Sequence, residues 1–137
     1  MRLITKDIGY AVRALIILSK QEGIVSVSDL VKKMDVPYAF LRRVMQRLTK
    51  EGIVSSYRGK GGGFQLEVSA KKIYMLDIIK IFQSSLDLTR CMIKEKICPN
   101  IKGCVLRSEV KEIEAYIKEK FKNLTIDSLK NGGIDNG

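Results

Sequence analysis

The chain has 137 residues, of which 45% are hydrophobic, with a formal charge of +10 and no histidine. That is one domain's length, or a small domain plus an oligomerisation arm, with enough apolar residues for a core. No apolar run approaches the roughly 18 residues that span a bilayer. Met-Arg-Leu-Ile-Thr-Lys at the start lacks the apolar stretch of a secretory signal, so a soluble cytoplasmic protein is expected.

Thr5 to Lys20 reads as the first helix. Ile8, Ala11, Val12, Leu15, Ile16 and Leu18 give it an apolar face wide enough for a central core helix, and Gln21-Glu-Gly23 ends it. Ser26-Val-Ser-Asp29 has the pattern of a capping box, with Ser26 as N-cap and Asp29 at the third helical position. Leu30, Val31 and Met34 carry the buried side of a short second helix. Asp35-Val36-Pro37 is the turn after it, because the residue before a proline is pushed out of the helical region.

A third helix is expected from Tyr38 to Glu51, with Pro37 suited to its start and Gly52 to its end. Leu41, Val44 and Leu48 recur at helical spacing and form its buried stripe, so Arg42, Arg43, Gln46, Arg47 and Lys50 face solvent. Val54 to Tyr57 and Phe64 to Leu66 read as two strands joined by the tip Arg58-Gly-Lys-Gly-Gly-Gly63. Three short-linked helices followed by a basic, glycine-tipped hairpin outline a winged helix-turn-helix, a mainly α fold with one small β-hairpin. The glycine-rich tip is no nucleotide loop, since neither a Lys-Ser/Thr pair nor a helix follows it.

The charge agrees with that outline. Residues 1–72 carry 14 Lys/Arg against 6 Asp/Glu, and the remainder 11 against 9, so the basic excess lies with the third helix and ribbon. Such a surface attracts polyanions. Double-stranded DNA is the expected partner. Arg42, Arg43, Gln46 and Arg47 are expected to sample base edges and phosphates, with arginine–guanine and glutamine–adenine as favoured pairings. Arg58 and Lys60 would neutralise phosphates or probe the minor groove. Tyr38 either touches a phosphate or thymine methyl, or packs the turn.

After the ribbon, Ser69-Ala-Lys-Lys72 is a polar connector, and Ile73, Leu76, Ile78, Ile79 and Phe82 belong to another short helix, about Met75 to Gln83. Periodicity fades from Ser84 to Gly103, a loop. Cys104 opens a long late helix in which Leu106, Val110, Ile113, Ile117 and Phe121 repeat at spacings of four, three, four and four among Lys and Glu. A narrow stripe with charged flanks has the pattern of a dimer seam. It also suits packing on its own domain. The expected organisation is residues 1–83 as the DNA-binding domain, 84–103 as a cysteine-bearing loop, 104–130 as dimerisation helix and C-terminal segment, and 131–137 as a disordered tail.

Cys91, Cys98 and Cys104 are an odd number of thiols within fourteen positions, which argues against a disulfide framework. Lys94, Lys96, Lys102 and Arg107 lie among them and favour the thiolate that metal binding needs. The spacing lacks the two-residue pairs of zinc ribbons, and no histidine can serve as a nitrogen ligand. An iron–sulfur cluster suits the longer gaps better, with zinc and unliganded thiols as the other readings. With no histidine, no evident acidic pair and no nucleophile motif, an enzyme is not expected.

Tyr10-Ala-Val-Arg-Ala-Leu15, Leu41-Arg-Arg with Leu48 and Gly52-Ile-Val54, Arg58-Gly-Lys-Gly-Gly-Gly-Phe64, Asp77-Ile-Ile79, the three cysteines and Leu124-Thr-Ile-Asp-Ser-Leu129 together resemble the Rrf2 family of bacterial regulators, the IscR and NsrR type. The resemblance runs from residue 1 to about 130 and is carried most specifically by the wing and the cysteine trio. It implies a homodimeric winged-helix DNA-binding protein whose long helix crosses its partner's, and a transcriptional repressor is the expected function. It also implies a two-iron or four-iron cluster on Cys91, Cys98 and Cys104 whose state changes operator affinity, and a minor-groove role for Arg58. Two positions depart from the pattern. Arg107 stands where some members carry a ligand histidine, and Gly9 where others carry a carboxylate. Asp7 is the nearest substitute, and its other reading is a helix-start carboxylate near the positive dipole end. The alternative function is a cluster-free, thiol-responsive regulator or a protein-interaction partner of a metabolic enzyme.

Overall fold

The structure is a computed structural model that describes residues 5–83 and 105–130. Helix α1 (Lys6–Lys20) is its centre. Thr5 is extended and its hydroxyl accepts from the Ile8 N–H at 3.4 Å, which fixes the first turn. Ile8, Ala11, Ala14 and Leu15 are wholly buried, because most of the other helices and the hairpin pack around this one.

Helix α2 (Val27–Met34) starts at the expected cap, with Ser26 Oγ accepting from the Asp29 N–H at 3.1 Å. Asp35 ends it in the left-handed conformation (φ 53°), and the Arg13 guanidinium of α1 donates to the Met34 carbonyl at 2.8 Å. Helix α3 (Tyr38–Lys50) buries Leu41, Val44, Met45 and Leu48. Gly52, at φ 79°, then turns the chain so that the Ile53 N–H returns to the Leu48 carbonyl at 3.0 Å.

Strands β1 (Val54–Tyr57) and β2 (Gly63–Leu66) form an antiparallel hairpin in which Val54 faces Leu66 and Tyr57 faces Gly63. The second strand starts one residue earlier than the sequence indicates. Phe64 also bridges Val25, ahead of α2.

A 3₁₀ turn (Ala70–Lys72) leads into α4 (Met75–Gln83), whose Met75, Ile78 and Ile79 are buried. Helix α5 (Val105–Lys122) packs on α4. Thr125 and Ser128 then exchange capping bonds at the start of α6 (Ile126–Lys130). Backbone bonds from Met75 to Leu124 (2.8 Å) and from Ile126 to Ile73 (3.0 Å) return the chain to the central domain, where Ile126 is fully buried. The fold is mainly α with one small hairpin, as expected. The loop of residues 84–103, Cys104 at the opening of the long helix and the tail 131–137 lie outside the described residues. No helix among the described residues is long and apolar enough to cross a membrane.

Candidate nucleic-acid interface

Tyr38, Arg42 and Gln46 are spaced four apart, so they stand one above another on a single face of α3. That face forms one wall of an open groove of about 900 Å³. The start of α2 supplies another wall through Ser26 and Ser28, and the hairpin closes the opposite side with Ser56, Tyr57 and Arg58. Among the described residues no carboxylate lines the groove, while two arginines and several hydroxyls do. The positive end of the α2 dipole adds to the same sign of potential. Tyr38 is 52% exposed, so it is presented to the groove rather than consumed in packing the turn.

Arg43 and Arg47 lie on another side of α3. The Arg43 guanidinium sits 5.0 Å above the Phe40 ring and 3.9 Å from the Asp7 carboxylate of α1. Arg47 donates to the Ile81 carbonyl of α4 at 3.2 Å and lies 3.9 Å from Glu51. Lys60 is exposed at the hairpin tip, outside the groove lining. The structure thus brings Tyr38, Arg42, Gln46 and Arg58 together and directs Arg43 and Arg47 toward neighbouring helices.

The sequence reading passes over Ser28, Thr49, Ser56 and Tyr57, which also line the groove. Ser28 had a readable signal, since it lies in the first turn of a capped helix beside the arginine-bearing one. Thr49 had none, and its hydroxyl donates back to the Met45 carbonyl at 2.8 Å.

Cys91, Cys98 and Cys104 lie outside the described residues, and among the described ones no three metal-ligating side chains converge. Asp7 occupies the first turn of α1 opposite Arg43, an arrangement a helix-start carboxylate adopts without any metal. Arg107 is in the first turn of α5.

The Rrf2 profile, described as an iron-dependent transcriptional regulator, matches residues 4–132. The regulator IscR of Pectobacterium carotovorum is 34% identical over 133 residues, covering 96% of this chain and 80% of that protein. A helix-turn-helix-type transcriptional regulator of Aquifex aeolicus is 30% identical, covering 94% and 92%. Among solved structures, CymR, the global cysteine regulator of B. subtilis, superposes with a TM-score of 0.79 at 22% identity, covering 96% of this chain and 98% of that one. The IscR of T. potens does so with a TM-score of 0.73 at 23% identity, covering 92% and 84%. These two likenesses concern the winged-helix fold. The chain belongs to the Rrf2 family of DNA-binding transcriptional regulators, which are not enzymes.

Proposed function

We propose that this chain acts as a homodimeric, operator-binding repressor whose DNA affinity is set by Cys91, Cys98 and Cys104. The observation that carries the DNA-binding part is the groove in which Tyr38, Arg42 and Gln46 of α3 face Arg58 of the wing, with no carboxylate among its described lining residues. Arg42 and Gln46 read base edges in the major groove. Arg58 and Lys60 meet the adjacent backbone or minor groove, while Arg43 and Arg47 add positive charge beside them. Serine hydroxyls at the start of α2 hold a phosphate.

The dimer reading rests on α5. Val105, Leu106, Ile113 and Tyr116 are all more than half exposed, although Val110 on the same helix is buried against the domain. A second copy of the chain would cover that apolar face and place two α3 helices on a two-fold operator.

The cofactor reading rests on three thiols in a chain without histidine, on a family described as iron-dependent and on relatives named IscR. Cys91, Cys98 and Cys104 would hold an iron–sulfur cluster, of two or four irons, through sulfur ligands. A cluster supplies sensitivity to oxidants and to iron supply. The protein's part is to let the chain between α4 and α5 respond.

Anaerobic purification with an absorption spectrum and iron and sulfide counts tests this reading, followed by operator binding with and without the cluster. A brown protein with matched iron and sulfide, and a Cys98→Ala variant that folds but binds the operator with altered affinity, are expected. A protein that stays colourless and iron-free after reconstitution would leave the cluster-free, thiol-responsive regulator. Operator affinity indifferent to both cluster and thiol state would remove the coupling altogether.

A further inference from the structure

Arg47 lies outside the groove that Tyr38, Arg42 and Gln46 line and holds the far side of α3. It donates to the Ile81 carbonyl at 3.2 Å, with Glu51 3.9 Å away. Ile81 belongs to the last described turn of α4, and a guanidinium is a strong donor to such a main-chain carbonyl. Helices α3 and α4 each pack chiefly on α1. Beside the contact an open hollow of about 400 Å³ separates α4 from the segments that follow α3, with Glu51, Ile53 and Ile73 on one side and Asp77, Lys80 and Ile81 on the other. The Arg47 bond is thus a direct side-chain link between two helices that otherwise lean on a third.

We propose that Arg47 is a positioning residue for operator binding, a strut that ties the end of α4 to the recognition helix α3. This deepens the function proposed above and rests on it, since the cysteine-bearing chain follows α4 directly in sequence. A change in the path of the chain that follows Gln83 moves α4, and with it the Ile81 carbonyl. Through Arg47 that movement turns α3, where Gln46 directly precedes it and Arg42 lies on the turn before. Arg43, one turn before Arg47 on the same side, bears on Asp7 of α1 at 3.9 Å, so the back of the helix rests on two neighbours. The competing role for Arg47 is a plain phosphate contact.

The test uses the full-length protein, either carrying its cluster or stripped of it with thiols reduced, and an operator duplex selected in vitro with the wild type. Wild-type affinity is expected to differ about fivefold or more between the two states. Arg47→Met keeps the aliphatic stem and removes the donors. It is expected to bring that ratio to within about twofold of one, with Arg47→Lys restoring it only in part. A phosphate contact gives a different pattern. Arg47→Met would then weaken both states equally, leave the ratio intact and lower the salt slope by about one, with rescue by lysine. That pattern overturns the strut.

Equal wild-type affinities in the two states overturn the underlying reading instead, and the strut with it. If circular dichroism shows Arg47→Met unfolded, Glu51→Gln releases the guanidinium's second anchor and is expected to lower the ratio. An unchanged ratio in that variant also overturns the strut.

Discussion

Val25 and Phe64 exchange both of their backbone hydrogen bonds, at 2.9 and 2.8 Å, so the wing is fastened to the segment that leads into α2. This bridge holds Arg58 across the groove from α3. Gly63 makes it possible, because its φ is +154° and an added Cβ would run into the Val25 carbonyl. Gly63→Ala is therefore expected to destabilise the fold by about 1–3 kcal/mol and to weaken operator binding as the wing shifts. Thermal unfolding and fluorescence anisotropy check both. Gly61→Ala is the control, since a Cβ there meets nothing within 4 Å and only its φ of +80° is strained. Equal effects at the two positions would remove the Val25 contact as the cause.

The two neighbouring arginines of α3 are expected to behave differently. Arg42 lines the groove, so Arg42→Ala should cost about 1–3 kcal/mol of operator affinity and relax preference at the base it meets. Arg43 is engaged with Phe40 and Asp7 through exposed contacts, so Arg43→Ala should cost less than about 1 kcal/mol. Its effect should also be uniform across sequences. Competition between the operator and scrambled duplexes separates the two. Loss of discrimination in Arg43→Ala but not Arg42→Ala would exchange their roles.

Much of this arrangement is legible in the chain itself. The spacing of Ile78, Ile79 and Phe82 marks α4, which starts at Met75 as expected, and Ser26 with Asp29 marks the start of α2 to the residue, because these are local signals. Which solvent-facing residues of α3 share the groove is not local. Arg42 and Arg43 are equally far from being core, and only the placing of α1, α4 and the wing decides that one meets the groove and the other meets Asp7. The apolar stripe of α5 has the same ambiguity. Its regular spacing reads as one face, yet Val110 is 8% exposed while Leu106 and Ile113 are 60% and 54% exposed, because the domain covers only part of the stripe. The Val25 bridge is a single residue pair and leaves no alternating pattern to read.

Ile126 supplies a test of the C-terminal helix. It is wholly buried, although α6 is only five residues long. A helix that short has no stability of its own, so its packing on α1 holds it in place. Ile126→Ala should cost about 2–5 kcal/mol through lost burial and the cavity left behind. The loss should appear in the single cooperative urea transition of the domain. A separate, earlier transition with the main midpoint unmoved would show α6 to be an independent appendage.

The exposed face of α5 yields the last expectation. Leu106 and Ile113 point away from the domain, whereas Val110, Ile117 and Phe121 pack toward it. A paired Leu106→Glu and Ile113→Glu substitution therefore leaves the domain core intact while placing charge on the proposed dimer face. Burying two unpaired carboxylates against a partner costs several kcal/mol, enough to separate copies that meet through a modest apolar seam. Sedimentation equilibrium should show the wild type as a dimer and the variant as a monomer with unchanged thermal stability of the domain. Operator binding should fall steeply in the variant, since each half-site alone offers one α3 and one wing. If the variant remains dimeric, the seam lies elsewhere, and the exposure of Leu106 and Ile113 needs a different partner.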